Sequence, residues 1–142
     1  MMSKIDELIK KRKLKKAEIS IDMCLKEFNI SYKDLQSAKR SFEDENYKWA
    51  TIQAYYAVFH AVRCVIYKSG YREESHSAMK TAFKELYIET GLMPVKVFLT
   101  LERGMDLREM ADYKETFSRN GADLLIHGVE ESIRIIEEYL QG

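Results

Sequence analysis

The sequence predicts an all-α protein, an up-and-down bundle of five to six helices, on three observations. Apolar residues recur at helical spacing along most of the chain. No segment alternates apolar and polar residues as a half-buried strand would. One proline and six glycines punctuate 142 residues, and within the chain they fall at 70, 91–94, 104, 121 and 128, dividing it into long uninterrupted elements.

The elements follow in order. Residues 3–16 have a helical pattern, with Ser3 as N-cap and Asp6 and Glu7 in the first turn. This segment ends in the basic run Lys10–Lys16, and residues 1–16 read as an extension ahead of a bundle domain at 17–142. The second helix spans 17–43, with Ile21, Leu25, Phe28, Tyr32, Leu35, Lys39 and Phe42 on its inner line and a weak point at Asn29-Ile30-Ser31. The third spans 47–68 and stops at Ser69-Gly70, a glycine C-terminal signal. The fourth spans 73–89, with His76, Met79, Phe83 and Leu86 on one line. Pro94 opens the fifth in the first-turn position that proline tolerates. Gly104 is positioned to break it, with Asp106 and Glu109 forming a capping box for a new turn. The last helix runs from about 116 to 139, with Leu125, Val129, Ile133 and Ile136 inward.

The third helix is the most informative. It splits into three stripes at 100° per residue. Ile52, Tyr55, Val58, Phe59, Val62, Val65 and Ile66 are one broad apolar face. Ala50, Ala54, Ala57, Ala61 and Cys64 form a stripe of small residues. Trp49, Gln53, Tyr56, His60, Arg63 and Tyr67 form an aromatic and polar stripe. Such a helix is covered on all sides, and one small bundle is expected to need a second copy to cover it. Trp49, Gln53, Tyr56, Ala57 and His60 are therefore the expected interface residues.

Composition narrows the function. Acidic and basic residues balance at 23 each, so any affinity for polyanions must come from a local patch. Residues 10–16 hold six basic residues in seven; they are either a solvated face or a track for a phosphate backbone. Cys24 and Cys64 lack metal-site spacing, and the three histidines form no His–acid cluster, so no metal and no cofactor is expected. No segment approaches a membrane span or a signal peptide, which places the expected protein in the cytoplasm with no membrane partner.

Three groups of residues carry possible chemistry. Tyr56, His60 and Arg63 share one helical stripe. An imidazole can take a proton and a guanidinium can hold a phosphate, or both can satisfy buried polar groups. His76 stands in the first turn of its helix, as a packed residue or a site. Arg108 and Asp112 are spaced to pair on an apolar face, with Tyr113 beside them. They form a structural ion pair or an anion site in which Asp112 orients Arg108.

The series A-T-I-Q-A-Y-Y-A-V-F-H-A-V-R at 50–63, then Gly70, His76, Phe83 and R-E-M-A-D-Y at 108–113, resembles the HEPN domain family over about residues 18–140. The resemblance implies a helical bundle that forms a homodimer through its long central helices. It implies a nucleotidyltransferase-fold partner in a toxin–antitoxin pair, and RNA or nucleotide as ligand at Arg108, Asp112 and Tyr113, to which the polar stripe of the third helix adds Tyr56, His60 and Arg63 as expected contacts. Many members are metal-independent ribonucleases that use an Arg followed four to six residues later by His. Here Asp112 and Tyr113 stand at that distance from Arg108, and Arg119 and His127 are too far apart. Two expectations follow: a homodimeric binding module, or a ribonuclease in which His60 or His76 joins Arg108.

Overall fold

The computed structural model describes residues 2–110 and 117–142. The elements are α1 (Lys4–Lys10), β1 (Leu14–Lys16), α2 (Ile21–Glu43), α3 (Tyr47–Lys68), β2 (Tyr71–Glu73), α4 (His76–Phe83, continued by a π-helical turn Lys84–Ile88), α5 (Val95–Met110) and α6 (Arg119–Gln141). The fold is an all-α bundle. Side-chain oxygens of Ser3, Ser20, Asn46, Ser75 and Ser118 each accept a backbone N–H in the first turn of the helix that follows. These caps fix where α1, α2, α3, α4 and α6 begin.

α3 is the axis of the molecule. Ala50, Ala54, Ala57, Ala61 and Cys64 have no exposed surface. α2 lies on this small-residue stripe: Ser31 Oγ donates to Ala57 O at 2.6 Å, and Cys24 packs with Cys64. The Ser31–Ala57 and Cys24–Cys64 pairings make α2 and α3 an antiparallel hairpin. α5 crosses α3 at Gly104, where an added Cβ would stand 3.0 Å from Tyr55 Cδ1. α6 closes the bundle against α2 through Lys39 and Glu130, and against α5, where Lys96 Nζ donates to Glu131 at 2.5 Å.

Several expectations are corrected. Residues 3–16 are not one helix. α1 stops at Lys10, and residues 14–16 pair antiparallel with 71–73 in the register Leu14↔Glu73, Lys15↔Arg72, Lys16↔Tyr71. The turn between them is a helix C-cap in which Arg12 N donates to Ile9 O and Lys13 N donates to Leu8 O. Arg12 takes φ 59° there, the left-handed place that glycine usually fills, at a cost of about 1–2 kcal/mol. Leu14 is fully buried, and Ile5, Leu8 and Ile9 pack on the main core. The N-terminal segment thus packs against the bundle.

α2 passes through Asn29-Ile30-Ser31 unbroken, and α5 runs through Gly104 to Met110, so Asp106 caps nothing. Gly104 is a close-approach residue, not a breaker. The expected inner line of α2 is only partly inner. Ile21, Leu25 and Tyr32 are 77%, 48% and 45% exposed, while Cys24, Ser31, Leu35 and Ala38 are buried. The apolar stripe of α2 is wider than the face that α3 covers, and its outer edge remains wet.

Ala57 was expected at an interface between copies, yet α2 of the same chain covers it. Ala57→Leu would push side-chain volume into this helix crossing. A loss of about 1–3 kcal/mol is expected from overpacking, read from urea unfolding. Unchanged stability would show that the crossing has spare room.

Candidate functional site

The polar stripe of α3 faces acids from two other elements. His60 Nδ1 lies 2.6 Å from Glu27 Oε2 of α2, and His60 Nε2 lies 4.0 Å from Asp34 Oδ2. Arg63 donates from Nε and Nη2 to Glu73 Oε2 of β2, at 2.8 and 2.5 Å. Its Nη1 lies 3.7 Å from Glu27 Oε1, and its guanidinium sits 5.0 Å from the Phe59 ring centre. Burial works against the Arg63 charge, but the hydrogen bond and charge of Glu73 outweigh it and leave its pKa raised. Burial also raises the Asp34 pKa, against the opposing pull of His60.

Glu73 is the most demanding member. Its side chain is 3% exposed, and both Arg63 bonds go to one oxygen. Its Oε1 is buried and finds no hydrogen-bond partner among the described residues. A buried carboxylate held this way depends on its cation.

Beside this network lies a second group. Tyr55, at the core of α3, places its hydroxyl 2.6 Å from His76 Nδ1. Phe59 packs against the His76 ring at 4.3 Å between centres. His76 is the first residue of α4, and it remains exposed although one ring nitrogen is held from below. Its pKa is lowered, chiefly because packing removes water from the ring, then by the charge of Arg63; Glu73 opposes this, and Arg108 adds to it. Burial is also the main reason the Tyr55 pKa is raised, with Arg108 pulling the other way. The half-buried Arg108 of α5 thus projects its charge onto both members of the His76–Tyr55 pair.

The fold therefore gathers Tyr56, His60, Arg63, His76 and Arg108 around the middle of the α3 polar stripe. His60 and Arg63 pair with Glu27, Asp34 and Glu73. Tyr56 is half-buried, with its ring 5.1 Å from Tyr55 and 6.4 Å from His60. Asp112 and Tyr113 lie outside the described residues. Trp49, at the start of α3, is 53% exposed. Gln53 is tied within the chain, its amide donating to Ser37 O at 3.1 Å and Ser41 Oγ at 2.7 Å. His127 lies on the outer face of α6, 3.3 Å from Asp123 Oδ1. Glu27, Asp34 and Glu73 were not singled out from the sequence. Charge complementarity to a His–Arg stripe was the available signal, but their distance along the chain hid it. Among the described residues no three His, Cys, Asp or Glu side chains are grouped to hold a metal ion, and no helix is long and apolar enough to cross a membrane.

A putative toxin of Methanocaldococcus jannaschii is 25% identical over 142 residues, covering 99% of this chain and 90% of its own length. A second protein of that organism, also named as a putative toxin, is 24% identical over 113 residues, covering 79% of this chain and 84% of its own. The model of the HEPN domain matches residues 25–140, a span that takes in α3, the acids that face it, His76 and Arg108. The chain belongs to the HEPN domain family.

Proposed function

We propose that this chain acts as a toxin-like HEPN protein: a homodimeric module that binds RNA or nucleotide at Arg108 and His76 and is paired with a nucleotidyltransferase-fold partner. The observation that carries the reading is the convergence of the exposed His76, held at Nδ1 by Tyr55, with the charge of Arg108. Arg108 and the exposed His76 share a field that favours the neutral imidazole, and a guanidinium is suited to an anionic phosphate. The wet apolar edge of α2, with Ile21, Leu25 and Tyr32, supports the dimer, as does exposed Trp49. The free cysteines Cys24 and Cys64 accord with a cytoplasmic setting.

One observation favours a second reading, RNA cleavage. A neutral imidazole beside a guanidinium is the pairing that 2′-hydroxyl attack requires. The imidazole accepts the ribose proton, and the guanidinium stabilises charge on the phosphate. In the tautomer whose Nδ1–H donates to Tyr55 Oη, Nε2 is the unprotonated nitrogen and accepts the proton. The lowered His76 pKa keeps this base form populated to lower pH than an ordinary histidine would.

Incubation with RNA in EDTA separates the readings. Products with 2′,3′-cyclic ends, lost in Arg108→Ala and in His76→Ala, identify the ribonuclease; intact RNA that binds, and binds less well to Arg108→Ala, identifies the module. Neither binding nor cleavage by the wild type would overturn both. If cleavage occurs, its rate should rise with pH through a midpoint below the usual histidine range of about 6.5; a midpoint above it would exclude His76 as the base.

Arg63→Ala should behave differently from Arg108→Ala. It strands the Glu73 carboxylate and is expected to cost about 3–5 kcal/mol of stability, measured by urea unfolding. A loss under about 1 kcal/mol would show that Glu73 does not depend on Arg63.

A further inference from the structure

The basic run takes no part in the site described above, yet the fold gives it a definite shape. Lys10, Lys11, Arg12, Lys13, Lys15 and Lys16 are all exposed along the end of α1, its turn and β1. Leu14 and Glu73 face inward, so their neighbours Lys15 and Arg72 face outward, directly opposite each other. Like charges opposed across two strands repel. Glu74 offsets only Lys15, at 3.2 Å between exposed groups. The turn keeps an arginine at φ 59°, where glycine would relax the backbone but remove a charge. Half-buried Tyr71 lies at the end of the ribbon opposite Lys16. In a chain with no net charge, this ribbon is a concentrated cationic strip. β2 runs from it through Glu74 and Ser75 straight into His76.

We propose that the ribbon formed by residues 10–16 and 71–73 is a phosphate-backbone binding surface for single-stranded RNA, leading the strand to the Arg108–His76 site. This rests on the RNA-binding reading above and extends it to residues that lie ahead of the matched domain and to β2. Lysines and arginines spaced along an exposed ribbon neutralise successive phosphates and release counterions, so affinity is not tied to sequence and falls with salt. The side chain of Tyr71 offers a surface on which a base can stack.

The test uses the full-length protein and a fluorescein-labelled single-stranded RNA of mixed sequence, in EDTA, titrated by anisotropy at several salt concentrations. Two variants carry it: Lys11→Gln/Lys13→Gln/Lys16→Gln, and Arg12→Gly. Arg12→Gly should melt no lower than wild type, since it relieves the left-handed residue, yet bind more weakly. The triple variant should lose about tenfold or more in affinity and flatten the slope of log K against log salt by about two, near 0.7 per lost phosphate contact. Both variants binding RNA like wild type, with Arg108→Ala still weakened, would overturn the ribbon proposal alone. Failure of the wild type to bind RNA at low salt would overturn it together with the RNA reading. Loss of binding to phosphatidylserine vesicles, with RNA binding intact, would assign the ribbon to a membrane surface and overturn it as well.

Discussion

The contact between Arg63 and Glu73 is the constraint on which the rest of this structure turns. Glu73 sits in a strand of three residues, too short to hold itself in place, and is buried with one oxygen bonded twice to Arg63. That contact fastens β2 to the central helix. β1 pairs with β2, and α1 is joined to β1, so the N-terminal segment is fixed through the same point. On the other side, β2 delivers His76 beside Tyr55. Removing either partner alone would leave the other charge buried and unpaired, which is costly.

The site is shaped by the carboxylates that the fold brings to the polar stripe of α3. Glu27, Asp34 and Glu73 meet His60 and Arg63 and turn the middle of the polar stripe into structure. Exposed positive charge is concentrated elsewhere, along the ribbon of residues 10–16 and 71–73. This explains how a chain with equal numbers of acids and bases can carry a strongly polar local surface. The charge of Arg63 lowers the His76 pKa, and its partner Glu73 opposes that effect.

The helical framework was legible because the third helix carried its burial in its own spacing. The alanines at 50, 54, 57 and 61 announced a close crossing. They did not announce with which element, and the answer was α2 of the same chain rather than a second copy. The inner line of α2 misled because periodicity reports where apolar residues point, not whether anything covers them. Residues 11–16 read as helix because lysine favours helix; pairing with 71–73 and burial of Leu14 outweighed that local preference. Gly104 read as a break because spacing cannot distinguish a residue that ends a helix from one that lets another helix approach. Of the site, Tyr56, His60, Arg63, His76 and Arg108 were legible as residue types. The division of roles among them was not, since it depends on acids brought from α2 and β2.

The most direct measurement of this account is an NMR titration of the His76 ring in the wild-type protein and in Arg108→Ala. Held by Tyr55, packed on Phe59 and facing two guanidiniums, His76 should titrate below the usual value of about 6.5, and its midpoint should rise when Arg108 is removed. A midpoint at or above that value, unmoved by the loss of Arg108, would show that the two residues do not form one site.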